Sequence, residues 1–371
     1  MNVLHLLSSG GVGGIETLCV EYAKYSLHKN IFVFLLGEKR TICEKMRQQG
    51  TPVYEINYSK MNVYRTFKTI SRLCEENKID VIVEHHSSPI LYLYILGLKY
   101  KYKQLRSVMY IHSNAATLAK GNGIGLCIRK FVLQLGLSRA DRIVAISNSV
   151  KVSILHTFRV EESKIKVIYN GVDVRKFTPQ SRTDVKSEHH GLKIIYVGRL
   201  IKEKGVQTIL HELSCLDRSI AYKFFIVGDG DYRAELEKIV KEKGLENNVS
   251  FLGTRNDVET LLKQCDVFVH MPICEEGFGI TIIEAMSIGL ICICNDRGAI
   301  PEIIQNNVNG FLLDHRKKGE LSKKLEELFS TYENEHWDTI RANAITTAKK
   351  YSIDGFSKAL DELLECIIKV K

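Results

Sequence analysis

The stretch EEGFGITIIEAMSIG, residues 275–289, decides the fold. Gly277, Phe278 and Gly279 open a helix that runs through IIEAM, and a glutamate stands on either side of that opening. Glu276 lies in the loop and Glu284 about two turns on, with seven residues between them. Helical side chains lean toward the N-terminus of their helix, so both carboxylates are directed to the same end. Carboxylates there can accept hydrogen bonds from sugar hydroxyls, and the free N–H groups of residues 277–280 (Gly277, Phe278, Gly279, Ile280) can hold a phosphate. The flanks of Glu284 are apolar, so a solvated surface helix is the weaker reading and a buried carboxylate needs a partner.

On either side of this segment stand apolar runs of strand length, DVFVHM (266–271) and LICICND (290–296). Strand, loop, helix and strand in succession point to a parallel sheet covered on both faces. The same alternation extends outward in both directions. Downstream comes GFLLD (310–314); upstream come VSFLG (249–253), KFFIVGDG (223–230) and KIIYVGR (193–199). An earlier series has NVLHLL (2–7), IFVFLL (31–36), VYEI (53–56), DVIVEH (80–85), SVMYIH (107–112), RIVAIS (142–147) and KVIY (166–169), with helical stretches such as IETLCVEYAKYSLHK (15–29) between them. The polar segment TPQSRTDVKSEHHG (178–191) separates the two series and reads as a linker. The fold class is therefore α/β, with two Rossmann-like β/α/β domains over residues 1–180 and 190–352. An amphipathic helix, 353–369, closes the chain. Ligands of open α/β sheets bind beyond the carboxyl ends of the strands, and both series place their glycines there.

Two further loops carry chemistry. SSGGVGGIET (8–17) follows the first strand; its glycines, Gly13 and Gly14 among them, allow close backbone approach, and the next helix aims N–H groups at an anion. It is not a dinucleotide fingerprint, because Glu16 stands where a third glycine is required. GRLIKEKG (198–205) offers Arg199 and Lys204 to clamp a diphosphate.

Composition and charge narrow the class. The 371 residues are 45% hydrophobic and 26% charged, as in ordinary globular domains. No apolar run reaches membrane-span length, and the N-terminus lacks a signal-peptide pattern. Residues 1–183 carry 27 Lys and Arg against 13 Asp and Glu, whereas 184–371 carry 25 against 30. The first half, with KYKYKQLR (99–106), Arg129, Lys130, Arg139 and Arg142, suits an anionic membrane surface or acceptor. No nucleic-acid motif accompanies the charge, so nucleic acid is not expected as a partner. Cys292 and Cys294 share one strand face and read as core, the pair His189–His190 as a solvated loop, and GDGD (228–231) as a strand-end turn.

Taken together, the sequence resembles the large family of retaining glycosyltransferases with the two-domain GT-B fold, called family 4. The glutamate pair in EGFGITIIEAMSIG is the strongest match. GGVGGIE (10–16), VMYIH (108–112), AISNSVK (145–151), IYNGVDVRKF (168–177), VGRLIKEKG (197–205), IVGDGDYR (226–233), FLGTRNDV (251–258) and DRGAIPEII (296–304) follow in the family's order. The resemblance implies two domains facing a cleft, acceptor on the N-terminal side, nucleotide sugar on the C-terminal side, and the last helix packed back on the N-terminal domain. It implies that Gly13 and Gly14 approach the donor diphosphate and reacting carbon, and that Gly14 and Glu16 meet the acceptor. His112 would hydrogen-bond the transferred sugar. Arg199 and Lys204 would bind the diphosphate, Glu276 the sugar hydroxyls and Glu284 the ribose. Gly253, Thr254 and Arg255 would lie against the base.

Glu276, His112, Arg199 and Lys204 are the expected catalytic set, with no cofactor and no metal. The expected reaction moves a hexosyl or N-acetylhexosaminyl group, most readily from a UDP-sugar, to a saccharide or lipid-linked saccharide in surface polysaccharide or glycolipid synthesis. The enzyme would lie peripherally on the inner face of the cell membrane. Ala299 departs from the family, which commonly has a second glycine there, but removes no proposed group. A nucleotide-sugar 2-epimerase and a non-catalytic sugar-nucleotide-binding subunit are the rivals. The glutamate pair disfavours the first, and the retention of every proposed catalytic group disfavours the second.

Overall fold

The computed structural model describes residues 1–8, 13–35, 41–58, 62–85, 89–118, 123–179, 191–332 and 334–369. The chain divides into two compact units, residues 1–171 with 353–371 and residues 172–352. This boundary precedes the polar segment 178–191, of which residues 180–190, with His189 and His190, lie outside the described residues.

The first unit contains β1 (Asn2–Leu7), α1 (Gly14–Tyr25), β2 (Lys29–Phe34), α2 (Thr41–Gln48), β3 (Val53–Glu55), α3 (Val63–Glu76), β4 (Val81–Glu84), α4 (Pro89–Lys101), β5 (Arg106–Ile111), α5 (Ala115–Leu118), α6 (Ile124–Arg139), β6 (Arg142–Ala145), α7 (Asn148–Thr157) and β7 (Ile165–Val167). Its strands form a sheet in the order β3-β2-β1-β4-β5-β6-β7, every pair parallel. Both faces are covered, which is why β1, β2, β4 and β5 read as nearly unbroken apolar runs. Strand β1 sits where the order reverses.

The expected first helix, 15–29, is shorter in the structure. It stops at Tyr25, and Lys29 already belongs to β2. The cause is the chain's last helix. Asp361 accepts hydrogen bonds from Tyr22 Oη (2.5 Å), Ser26 Oγ (2.8 Å) and the Leu27 backbone N–H (2.8 Å), which turns Ser26 into extended backbone.

The second unit contains β8 (Leu192–Val197), α8 (Val206–Leu213), β9 (Tyr222–Val227), α9 (Arg233–Glu242), β10 (Val249–Gly253), α10 (Val258–Lys263), β11 (Val267–His270), α11 (Ile280–Ile288), β12 (Ile291–Asn295), α12 (Ile300–Ile303), β13 (Phe311–Leu313), α13 (Glu320–Ser330) and α14 (Glu335–Lys349). The final helix, α15 (Ile353–Lys369), belongs to the first unit, where Phe356 packs edge-on against Tyr22 of α1. The second sheet runs β10-β9-β8-β11-β12-β13, again with every pair parallel. The chain leaves β8 toward β9 and leaves β11 toward β12, so the loops after β8 and β11 meet at the reversal point. That is the position where open α/β sheets bind ligands. Cys292 and Cys294 are fully buried in β12 among the core side chains.

Candidate active site

At the reversal point of the second sheet, three polar side chains meet. Lys204 Nζ lies 2.6 Å from Glu276 Oε2, and His270 Nε2 lies 3.1 Å from the same oxygen. Lys204 ends a 3-10 turn after β8, His270 ends β11, and Glu276 stands in the loop between β11 and α11. Burial alone would push the Glu276 carboxyl up. The Lys204 ammonium and the His270 hydrogen bond together overcome this and hold it well below the usual carboxylate range. Burial also lowers the pKa of His270 against the pull of Glu276. A neutral His270 that donates from Nε2 follows, and it orients the carboxylate. Both contacts fall on Oε2; Oε1 accepts no hydrogen bond among the described residues.

The Glu276 loop is held by backbone packing that tolerates no side chain. Gly205 has φ +73°, and a Cβ there would lie 1.8 Å from the Met271 carbonyl oxygen. Gly298, φ +61°, would place a Cβ 2.4 Å from the carbonyl oxygen of Glu276 itself. Glycine lets the loops after β8 and β12 close directly onto the loop after β11. Hydrogen bonds then tie it down: Ala299 N–H to Glu276 O (2.9 Å), Ile273 N–H to Glu203 O (2.9 Å) and Arg297 Nη1 to Ile273 O (2.6 Å).

Glu284 occupies the second turn of α11, half-buried, with no hydrogen bond or ion pair among the described residues. Desolvation pushes its pKa up to about 7, and Lys176 opposes this only in part. The helix begins at Ile280, later than the expected anion-binding N–H groups of 277–280 imply. Gly277 and Phe278 engage other groups of the chain, and the Gly279 carbonyl caps the Ile282 N–H at 3.0 Å. The N–H groups of Gly279, Ile280 and Thr281 have no acceptor among the described residues. The Phe278 ring is buried edge-on against Tyr351, so only its backbone can face a ligand.

Arg199 is exposed directly after β8 and makes no side-chain hydrogen bond among the described residues. At the sheet edge, Gly253 ends β10 with φ +67°, and its carbonyl accepts from the Gly228 N–H at 2.8 Å. Thr254 and Arg255 are exposed, and Arg255 forks onto the Asp257 carboxylate at 2.8 and 2.6 Å. Arg255 thus braces its own loop.

In the first unit, Gly13 precedes α1 and a Cβ on it would lie 2.5 Å from Glu16 Oε2. The Glu16 carboxylate, buried at the third helical position, covers the positive end of α1. Gly10, Gly11 and Val12 lie outside the described residues. His112 follows β5, half-buried, and its Nε2 lies 3.2 Å from Nδ1 of His85, at the end of β4. In GDGD (228–231), the Asp229 carboxylate accepts from the Gly230 N–H (2.8 Å) and pairs with Arg233 (3.3 Å).

The structure therefore unites Lys204 with Glu276, adds His270 and His85, and places Arg199, Glu284 and Gly253 on loops and a helix of one sheet edge. His270 ends the quoted run DVFVHM, but a single strand-end histidine carries no local signal. Only its contact with Glu276 singles it out.

The family comparison agrees with this geometry. The model described as Glycosyltransferase Family 4 matches residues 12–176, and that described as Glycosyl transferases group 1 matches residues 178–351. The chain belongs to the GT-B glycosyltransferases of family 4, and it is a transferase enzyme. It is 24% identical over 304 residues to N-acetyl-alpha-D-glucosaminyl L-malate synthase of Bacillus anthracis, covering 73% of this chain and 78% of that protein. It is 28% identical over 286 residues to the UDP-Gal:alpha-D-GlcNAc-diphosphoundecaprenol alpha-1,3-galactosyltransferase of Escherichia coli, covering 73% and 72%. Among solved structures, HepE of Anabaena in complex with UDP superposes with a TM-score of 0.85 at 22% identity, over 99% of this chain and all of that one.

Proposed function

We propose that the enzyme moves a hexosyl or N-acetylhexosaminyl group from a UDP-sugar to a saccharide acceptor with retention at the anomeric carbon. The observation that carries this reading is the anchored Glu276: Lys204 and His270 hold one carboxylate oxygen and leave the other as an acceptor for hydroxyl donors, at the binding edge of the sheet. Glu284, in the apolar flank of α11 without a hydrogen-bond or ion-pair partner among the described residues, is in this reading the acceptor for ribose hydroxyls. Adjacent strands lie about 4.8 Å apart, so the Gly253 loop on β10 is about 10 Å from the β8 loop, roughly the reach of a nucleoside. The relatives' names support a UDP-sugar, since one names UDP-Gal as donor and a fold neighbour holds UDP.

As the sugar leaves, charge grows on the diphosphate. Arg199 and the N–H groups of Ile280 and Thr281 stabilise it by preorganised electrostatics, with Lys204 shared between the diphosphate and Glu276. The acceptor hydroxyl attacks from the face the diphosphate leaves, and the leaving phosphate oxygen takes its proton. Gly13, Gly14 and His112 of the first unit serve the donor, and Gly14 and Glu16 the acceptor. No metal or cofactor enters this scheme.

A lipid-linked acceptor in surface polysaccharide or glycolipid synthesis belongs to the same proposal. Among the described residues no helix is long and apolar enough to cross a membrane. Helix α6 exposes Ile128 (60%) and Phe131 (67%) beside Lys130, an apolar and basic combination suited to an anionic lipid surface. Part of the expected basic cluster is committed elsewhere: Lys99 and Arg106 pair with Asp141, and Lys101 with Glu75.

The test is a binding panel of UDP-, GDP- and ADP-sugars read by thermal shift, with Glu276→Ala and Arg199→Ala alongside. A selective shift for one UDP-sugar that is lost in both variants supports the reading, and NMR of the product then reads the anomeric configuration. A folded protein that no panel member shifts sinks it.

A further inference from the structure

His112 is the outer end of a hydrogen-bonded line that runs into the core of the first unit. His112 Nε2 lies 3.2 Å from His85 Nδ1, His85 Nε2 lies 2.9 Å from His5 Nδ1, and His5 Nε2 lies 2.9 Å from Asn30 Oδ1. His5 and His85 are buried, and His5 stacks on Phe32 with ring centroids 4.5 Å apart. The direction of the line follows from its inner end. Asn30 donates from Nδ2 to the His28 carbonyl oxygen at 3.1 Å, so its Oδ1 faces His5 and can only accept. His5 must then carry a proton on Nε2. Burial lowers the pKa of His5 to about 4, against the pull of Asn30 and of the Asp361 carboxylate, so the ring is neutral and its Nδ1 accepts. His85 therefore donates from Nε2 to His5, and with a single proton on its ring it accepts at Nδ1 from His112 Nε2–H.

We propose that Asn30, acting through His5 and His85, places the proton of His112 on Nε2, so that His112 Nδ1 is a hydrogen-bond acceptor that recognises a hydroxyl of the substrate sugar and not an anionic oxygen. The recognition half rests on the reading that His112 meets the transferred sugar. Asn30, His5 and His85 are positioning residues. Among the described residues, the rings of Tyr22 and Tyr110 and the Cys19 thiol, whose Sγ lies 3.9 Å from both His85 nitrogens, also lie against the line. The carboxylate acting on His5, that of Asp361, is occupied by Tyr22, Ser26 and Leu27.

Asn30→Asp reverses the line. The new carboxylate draws one proton from solvent onto His5, which then donates from Nδ1. His85 accepts at Nε2 and donates from Nδ1, and His112 moves its proton to Nδ1. The measurement is ¹⁵N–¹H correlation on histidine-labelled enzyme, which reports the protonated nitrogen of each ring. The expected result is His112 protonated on Nε2 in the wild type and on Nδ1 in Asn30→Asp, with kcat/KM for the glycosyl transfer down roughly tenfold or more, as a wrong tautomer costs. His85→Gln, which keeps one donor and one acceptor, retains more activity than His85→Leu. A wild-type His112 with its proton on Nδ1, or a doubly protonated His85, overturns the proposal without any variant. A reversed tautomer in Asn30→Asp with kcat/KM unchanged leaves the line standing but removes its recognition role, and with it the assignment of His112 to the sugar.

Discussion

Replacing Glu284 with Gln should stabilise the ligand-free protein and weaken nucleotide binding. The carboxyl sits half-buried in the apolar flank of α11 without a hydrogen-bond partner among the described residues, with a pKa of about 7. An unfolded glutamate titrates near 4.3. The fold therefore binds this proton more tightly than the unfolded chain does. Its stabilising contribution is full below the unfolded pKa and is lost as pH rises through about 7. At about 1.4 kcal/mol per pKa unit, the loss at pH 8 is about 3–4 kcal/mol. Glutamine has nearly the same volume and does not titrate. The variant should exceed the wild type by about 3–4 kcal/mol at pH 8 and by only about 1 kcal/mol at pH 5.

The single tryptophan, Trp337, is buried in α14 of the same unit, so its fluorescence in a urea titration reports the relevant unfolding. Equal midpoints at pH 8, or a larger gap at pH 5 than at pH 8, would refute the desolvation argument. Binding supplies the second arm. Ribose hydroxyls donating to a carboxylate favour its ionised form, so UDP should release protons at pH 7. Calorimetry in buffers of different ionisation enthalpy counts them. Release absent from the wild type would remove the ribose role while leaving the stability argument intact. In Glu284→Gln, affinity should fall about tenfold or more, as for hydrogen bonds to a charged group.

Lys204→Met leaves the Glu276 carboxylate with His270 alone, and should cost about 1–3 kcal/mol at pH 7. Because the Glu276 pKa is depressed in the fold, that difference is present above about pH 4.5 and should shrink as pH falls further; a pH-independent loss would assign the effect to packing. Gly298→Ala drives a Cβ to 2.4 Å from the Glu276 carbonyl oxygen and should raise the donor KM, whereas Gly244→Ala, also at positive φ but with open space around it, should alter stability only. Equal donor kinetics in the two variants would show that the loop packing does not position Glu276. The double variant Ile128→Asp/Phe131→Asp should abolish flotation with anionic liposomes at low salt while sparing transfer to a water-soluble acceptor, and undiminished flotation would clear α6 of that role.

These expectations depend on pairings that the sequence does not display. The strands were legible because parallel strands buried on both faces read as apolar runs, as LICICN does, and the strand-end glycines marked the binding edge. The end of α1 was not, because the acceptor that stops it, Asp361, lies 335 residues beyond Ser26. Lys204 illustrates the deeper limit. A lysine in a loop after a strand reads as a diphosphate ligand when its neighbours in sequence are all that is known. In the fold its ammonium sits 2.6 Å from Glu276, 72 positions away, and the two form one nearly neutral group. Arg199, without a side-chain partner among the described residues, is then a cation with its full charge available at that edge. The same reasoning explains why Glu276 and Glu284, one motif in sequence, titrate in opposite directions. Both are desolvated, but only Glu276 has a cation and a histidine in hydrogen-bond contact, so one carboxylate stays charged and the other, with its pKa raised to about 7, is only partly charged near neutral pH.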